Sequence, residues 1–291
     1  MFGGGTVAAV VVVHGVGQQY LGPRSLHTGI AAALADGVAL AGGPPLTADD
    51  VGVAFYGHRF RPPGRFKGEP ALTHRDVTDP LERTLLMEWW REAARLEPER
   101  VPAPDGETAT KAITPQTVQR ALYALARTRF AGRSGDRFLL GVLRQVSRYF
   151  TEPELRTRVR ESVADAVADD TRVLVGHSLG SVVAYEALCE HPEWPVRTLV
   201  TIGSPLGIPT IVFDRLTPAP SEGRGTWPAG VRGWTNLCDR YDVVALRKRL
   251  APLFGDVHDV AVDNGWQAHA IDRHLTAAET GTAIAEGLRR A

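Results

Sequence analysis

Residues 176–180 read Gly-His-Ser-Leu-Gly. A free serine hydroxyl is a weak nucleophile. It gains strength when a base takes its proton and an acid orients that base. The glycine spacing fits G-x-S-x-G, in which a strand reverses sharply into a helix and leaves the serine at the apex. A side chain two positions before or two after would collide with so tight a turn, and glycine removes it. The flanks agree: an apolar run over 172–176 precedes the serine. A helical pattern containing Val182, Val183, Tyr185, Ala187 and Leu188 follows it.

On a strand–turn–helix of this kind the partners follow in the order serine, acid, histidine, each on a loop after a later strand. The acid is expected after the run 231–237, where Asp239 and Asp242 both stand. Asp242 is favoured, because Val243, Val244 and Ala245 can pack while the carboxylate turns inward. Asp239 suits the usual task of a turn aspartate, bonding loop amides. Asp256 is a more distant alternative. For the base, His269 is favoured over His274, which could instead make a polar contact at the start of the last helix. His258 alternates within a strand pattern and reads as structural. The developing oxyanion needs backbone N–H donors. Leu179, next after the serine, supplies one. The turn His14-Gly15-Val16-Gly17 supplies the other, with Val16 ahead of Gly17. His14 precedes the serine and lies on the wrong loop for the base. The same turn is a poor phosphate cradle, since no G-K-[ST] follows it.

These groups need a frame. Valine-rich runs at 7–13, 51–56, 172–176, 197–202, 231–237 and 257–262, separated by helical stretches, predict a mostly parallel sheet of about six strands with crossover helices. Helices are expected at 24–41, 152–168, 179–190 and 277–290. Capping boxes are read at Thr151 with Glu154 and at Thr276 with Glu279. Residues 58–150 break this rhythm. They open with a proline- and arginine-rich loop and continue in three helical patterns, one carrying Leu81, Leu85, Trp89 and Leu96 on one face. The expected organisation is a core of 1–57 and 151–291 with a helical, cap-like insertion at 58–150.

Composition narrows the class. Lys plus Arg and Asp plus Glu both number 33, so the net charge is zero and no basic nucleic-acid face is expected. The run Arg247-Lys248-Arg249 reads as a solvated helix end. Cys189 and Cys238 show neither metal-ligand spacing nor a disulfide framework, and read as small buried hydrophobes. They suit a reducing, cytoplasmic compartment. The apolar run at 7–13 lacks a preceding positive segment and a cleavage site, and is too short for a membrane span. No integral membrane association is expected.

Together these stretches resemble the α/β-hydrolase family, lipase- and esterase-like members above all. VVVHGVG resembles the family's His-Gly oxyanion turn, GHSLG its nucleophile elbow, and IGSPLG at 202–207 the turn after the next strand. NLCDRYDVVA resembles the acid loop of intracellular lipases and phospholipases, which supports Asp242. AHAIDRHL resembles their histidine loop, which supports His269. The matched stretches cover roughly 1–57 and 170–290, and nothing familiar matches 58–150. Two strands usually precede the His-Gly turn in larger members, so a shortened fold is expected. The resemblance implies a serine hydrolase acting on a small-molecule ester or acyl substrate through an acyl-enzyme, with Ser178, His269 and Asp242 as the triad. It implies no metal and no organic cofactor. Acyl transfer, thioester or peptide cleavage by the same triad, and a non-catalytic ligand-binding module on the same fold, are the alternatives.

Overall fold

Strand β1, Val10–Val13, is four buried valines. A strand with no polar alternation needs cover on both faces, which a parallel sheet between two helical layers supplies. The computed structural model describes residues 8–61, 72–104, 113–128, 135–265 and 267–290. It has that architecture. The other strands are β2 (Val51–Ala54), β3 (Val173–His177), β4 (Thr198–Ile202), β5 (Gly233–Asp239) and β6 (Val257–Val262). They form one six-stranded sheet in the order β2-β1-β3-β4-β5-β6, and every pairing is parallel. Each expected strand is present; the expected "mostly parallel" sheet is wholly so.

The helices are α1 (Pro23–Leu40), α2 (Pro80–Leu96), α3 (Pro115–Leu125), α4 (Gly135–Thr151), α5 (Pro153–Ala164), α6 (Leu179–Glu190), α7 (Ala251–Phe254), α8 (Ile271–Thr276) and α9 (Ala278–Arg289). Side-chain alternation divides them between the faces. Val10, Val12, Val173, Val175 and Val200 share a core with α1 and α9. Val11, Val13, Leu174 and Leu199 share the other with α2 to α6. In that second core Leu85 and Trp89 of α2, Leu122 of α3 and Leu143 of α4 are buried beside Val182 and Tyr185 of α6. Leu81, Leu85 and Trp89 of the α2 stripe are therefore core, while Leu96 is partly buried and Tyr123 on α3 is exposed.

Glu186 on α6 fastens these layers. It is buried, and accepts from Tyr149 Oη of α4 (2.6 Å), Arg156 Nε of α5 (3.0 Å) and the Thr217 amide (3.0 Å).

Strand order creates the crevice. From β1 the chain crosses by α1 to β2 on one side, while β3 crosses by α6 to β4 on the other. Crossovers of one hand then put α1 and α6 on opposite faces, and the carboxyl ends of β1 and β3 part.

Some local expectations fail. Thr151 and Thr276 close helices rather than open them. Their hydroxyls donate to the carbonyls four residues back, Ser147 (2.9 Å) and Asp272 (2.8 Å), a bond that competes with N-capping. Helix α5 starts after Glu152 with Pro153 in its first turn and no side-chain cap. Helix α8 occupies a stretch read as loop. His258 is exposed on the edge strand. The proline- and arginine-rich loop lies mostly at 62–71, outside the described residues. No helix among the described residues is long and apolar enough to cross a membrane.

Candidate active site

The turn from β3 into α6 has the strain its sequence implies. Ser178 holds φ 54° and ψ −130°, a region that side chains disfavour, and its amide donates to the Ile202 carbonyl at 3.0 Å. The two flanking glycines serve different contacts. A Cβ on Gly176 would lie 2.5 Å from Ser181 Cα, so it would strike the far arm of the same turn. A Cβ on Gly180 would lie 2.3 Å from the carbonyl oxygens of Val13 and His14, so it would force α6 off β1. Ser181 Oγ donates to the Ser178 carbonyl (2.6 Å) and meets Ser204 Oγ (2.7 Å), fastening the turn to the loop after β4.

Two distant loops bring an acid and a histidine together. Asp242 follows β5, and His269 lies between β6 and α8. Asp242 Oδ2 accepts from His269 Nδ1 at 2.7 Å. The acid is wholly buried and the histidine 8% exposed. Asp242 Oδ1 accepts from the amides of Val244 (2.9 Å) and Ala245 (3.4 Å), so the small apolar residues after it supply donors as well as packing. Burial pushes this carboxyl up, but the charge and hydrogen bond of His269 outweigh it, with Lys248 and His274 adding to them. The carboxyl is held at about 2 and is ionised at neutral pH. An ionised acid accepts only, so the His269 proton sits on Nδ1 and Nε2 is left as the acceptor.

The pair lies beside the serine turn. A Cβ on Gly203, the residue after Ile202, would lie 2.7 Å from Asp242 Oδ2 and 2.9 Å from His269 Nδ1. His177, next to Ser178, bonds the His269 carbonyl through Nε2 at 2.9 Å, and their rings are 4.8 Å apart. Ser178 Cβ also lies against the first glycine turn, 2.8 Å from where a Cβ on Gly15 would stand. Ser178, His269, Asp242 and the 14–17 turn thus converge at the carboxyl ends of adjacent strands.

The alternatives separate by their partners. Asp239 is occupied: Oδ1 accepts from the Tyr241 amide (2.8 Å) and Oδ2 from the Asn264 amide (2.6 Å). Burial raises its pKa despite those two bonds. His274 sits in α8 with no exposure, its Nε2 on the Ala268 carbonyl at 3.1 Å. His14 is also consumed. Its Nδ1 bonds the Gly15 carbonyl (2.7 Å), its Nε2 accepts from the amides of Tyr56 (3.1 Å) and Gly57 (3.2 Å), and its ring stacks on Tyr56. Burial lowers its pKa to about 4, so it stays neutral and ties β1 to the end of β2. Asp256 is exposed, just before β6.

Among the amides of the first turn, Gly17 donates to Gln145 Oε1 of α4 at 3.3 Å and is removed from the set of free donors. The Val16 and Leu179 amides donate to no other group among the described residues. Leu179 opens α6, whose first-turn N–H groups carry partial positive charge.

Lys248 was hidden in a basic run. Arg247 and Arg249 are exposed, but Lys248 turns inward and donates to the carbonyls of Asp242 and Ala245, the second at 2.7 Å. The run precedes α7 in a bend rather than ending a helix, so its middle residue is free to reach back over the acid loop. No sequence signal distinguishes Lys248 from its neighbours. No cluster of His, Cys, Asp and Glu among the described residues could hold a metal ion.

No protein-family model matches the chain, and neither a curated protein nor a solved structure matches it.

Proposed function

We propose that this chain is a serine hydrolase of the α/β-hydrolase kind, cleaving a carboxylic ester through an acyl-enzyme. The observation that carries the reading is the buried 2.7 Å Asp242–His269 hydrogen bond beside a serine held at φ 54°. Strain and burial of this kind are costly, and they cluster where chemistry uses them. Ser178 Oγ attacks the acyl carbonyl carbon while His269 Nε2 takes its proton. Asp242 fixes the imidazole tautomer and stabilises the imidazolium. The Leu179 and Val16 amides receive the oxyanion. His269 returns the proton to the leaving alcohol. Water, activated by the same imidazole, then releases the acid and frees Ser178.

A fluorophosphonate probe on the purified protein tests this, with the labelled residue located by mass spectrometry. Ser178 is expected to be labelled in native protein, and neither heat-denatured protein nor Ser178→Ala. A folded protein that takes no label and hydrolyses no p-nitrophenyl ester of any chain length would refute the reading.

A further inference from the structure

The mechanism above leaves two buried histidines without a task, and both touch the loop that carries the base. His177 Nε2 lies 2.9 Å from the His269 carbonyl oxygen, and His274 Nε2 lies 3.1 Å from the Ala268 carbonyl oxygen. A carbonyl only accepts, so each ring must carry its proton on Nε2. These two carbonyls belong to the peptide planes on either side of the His269 Cα. Peptide planes are rigid, so holding both leaves the base's backbone no soft rotation. The two clamps approach from different elements, His177 from the end of β3 and His274 from α8.

We propose that His177 and His274 are positioning residues that fix the backbone of His269 and thereby aim its Nε2. The inference rests on the reading of His269 as the base. His177 adjoins Ser178, so one side chain links nucleophile and base directly. The buried Nδ1 of His274 has no hydrogen-bond partner, and the opposite tautomer would leave both ring nitrogens unmet, so the proton belongs on the Nε2 that faces the Ala268 carbonyl. Burial keeps both rings neutral, so each has a single N–H to place. His177 faces His269, His274 and Asp242, and His274 faces Asp242, His269 and Asp272.

The test separates the donor from the ring. His177→Gln keeps a neutral Nε2–H at the same reach, and His177→Phe keeps an aromatic ring without the donor. Ester turnover, the rate of fluorophosphonate labelling, and nitrogen-15 spectra of the histidine rings are measured for each. In wild type, His177 and His274 are expected to be protonated on Nε2 and His269 on Nδ1. His177→Phe is expected to lower kcat by roughly 10- to 100-fold, the effect of a misplaced catalytic group. KM should stay within about twofold. The same variant should broaden or shift the His269 Nδ1 proton signal, and His177→Gln should restore both. A purely structural ring would lower the melting temperature of both variants alike and spare that signal. Unchanged turnover, labelling and His269 signal in a folded His177→Phe would overturn the clamp, as would an Nδ1-protonated His177 in wild type. If wild type is neither labelled nor active, the hydrolase reading falls. The ring spectra, which need no turnover, then decide whether the clamp holds His269.

Discussion

Acid should unfold this protein before its carboxylates explain the loss. His14, His177 and His274 are all buried, and burial holds each below the ordinary 6.5: His14 and His274 at about 4, His177 well below its usual value. A histidine that titrates lower in the folded than in the unfolded chain gives up stability as pH falls through its unfolded pKa, because only unfolding lets it take the proton. The loss therefore begins near pH 6.5 and continues toward pH 4. Between about pH 7 and pH 5.5 each such histidine costs about 1.2 kcal/mol, at 1.36 kcal/mol per pKa unit, so the three cost about 4 kcal/mol together. Asp242, held at about 2, keeps its charge throughout and contributes nothing to this window. Asp239 and Glu82, both raised, return part of the loss as they protonate in the folded state. The assay is urea unfolding by tryptophan fluorescence across the window. His14→Gln keeps an acceptor for the Tyr56 and Gly57 amides but cannot titrate, and should remove about a third of the pH dependence. A wild-type loss below about 1 kcal/mol over the window would refute the argument that these rings stay buried and neutral.

Asp242→Asn should leave the fold intact and lower kcat by roughly 10³- to 10⁴-fold, since an amide donor facing Nδ1 favours the tautomer with no base at Nε2; steady-state ester kinetics reads it. Gly180→Ala should cost about 1–3 kcal/mol or prevent folding, because its methyl would overlap the carbonyls of Val13 and His14; thermal unfolding reports this. Glu186→Ala should cost about 3–5 kcal/mol, since it leaves the Arg156 guanidinium unpaired in a mostly buried site; the urea midpoint measures it. Gln145→Leu frees the Gly17 amide and loosens the first glycine turn from α4. The expected result is a fall in kcat of up to about tenfold with little change in melting temperature, measured on esters and by calorimetry.

What the sequence revealed depended on distance along the chain. Runs such as Val10–Val13 and the glycine spacing around Ser178 carry their own geometry, so the strands and the serine turn were readable within a few residues. That Asp242 rather than Asp239 meets His269 was readable only in part: Asp242 is followed by small apolar residues, but Asp239 closes β5 and one of the two amides it bonds, that of Asn264, lies 25 residues on. The choice of Val16 over Gly17 rested on less, because the side chain that occupies Gly17 is 128 residues away on α4. Lys248 looked like surface charge for the same reason, since only the fold shows the carbonyls beneath it. His274 reads from the sequence as an alternative base, although the Ala268 carbonyl that engages it lies only six residues back, in the loop before α8. The two threonine capping boxes misled because the motif is short and the same hydroxyls also bond backward at helix ends.

The strand order has a consequence for how the protein is made. Val10 pairs with Val51 on one side and with Val173 on the other. At roughly 5–20 residues per second of synthesis, the second partner follows the first strand by roughly ten to thirty seconds. Through that interval four consecutive valines have one open edge and an incomplete cover, the condition in which strands find the wrong partner. Helix α1 and β2 emerge early enough to shelter them in part, and a delay before residue 173 would lengthen their exposure. His269 emerges later still, so a nascent chain would carry its serine turn well before it could carry the proposed base.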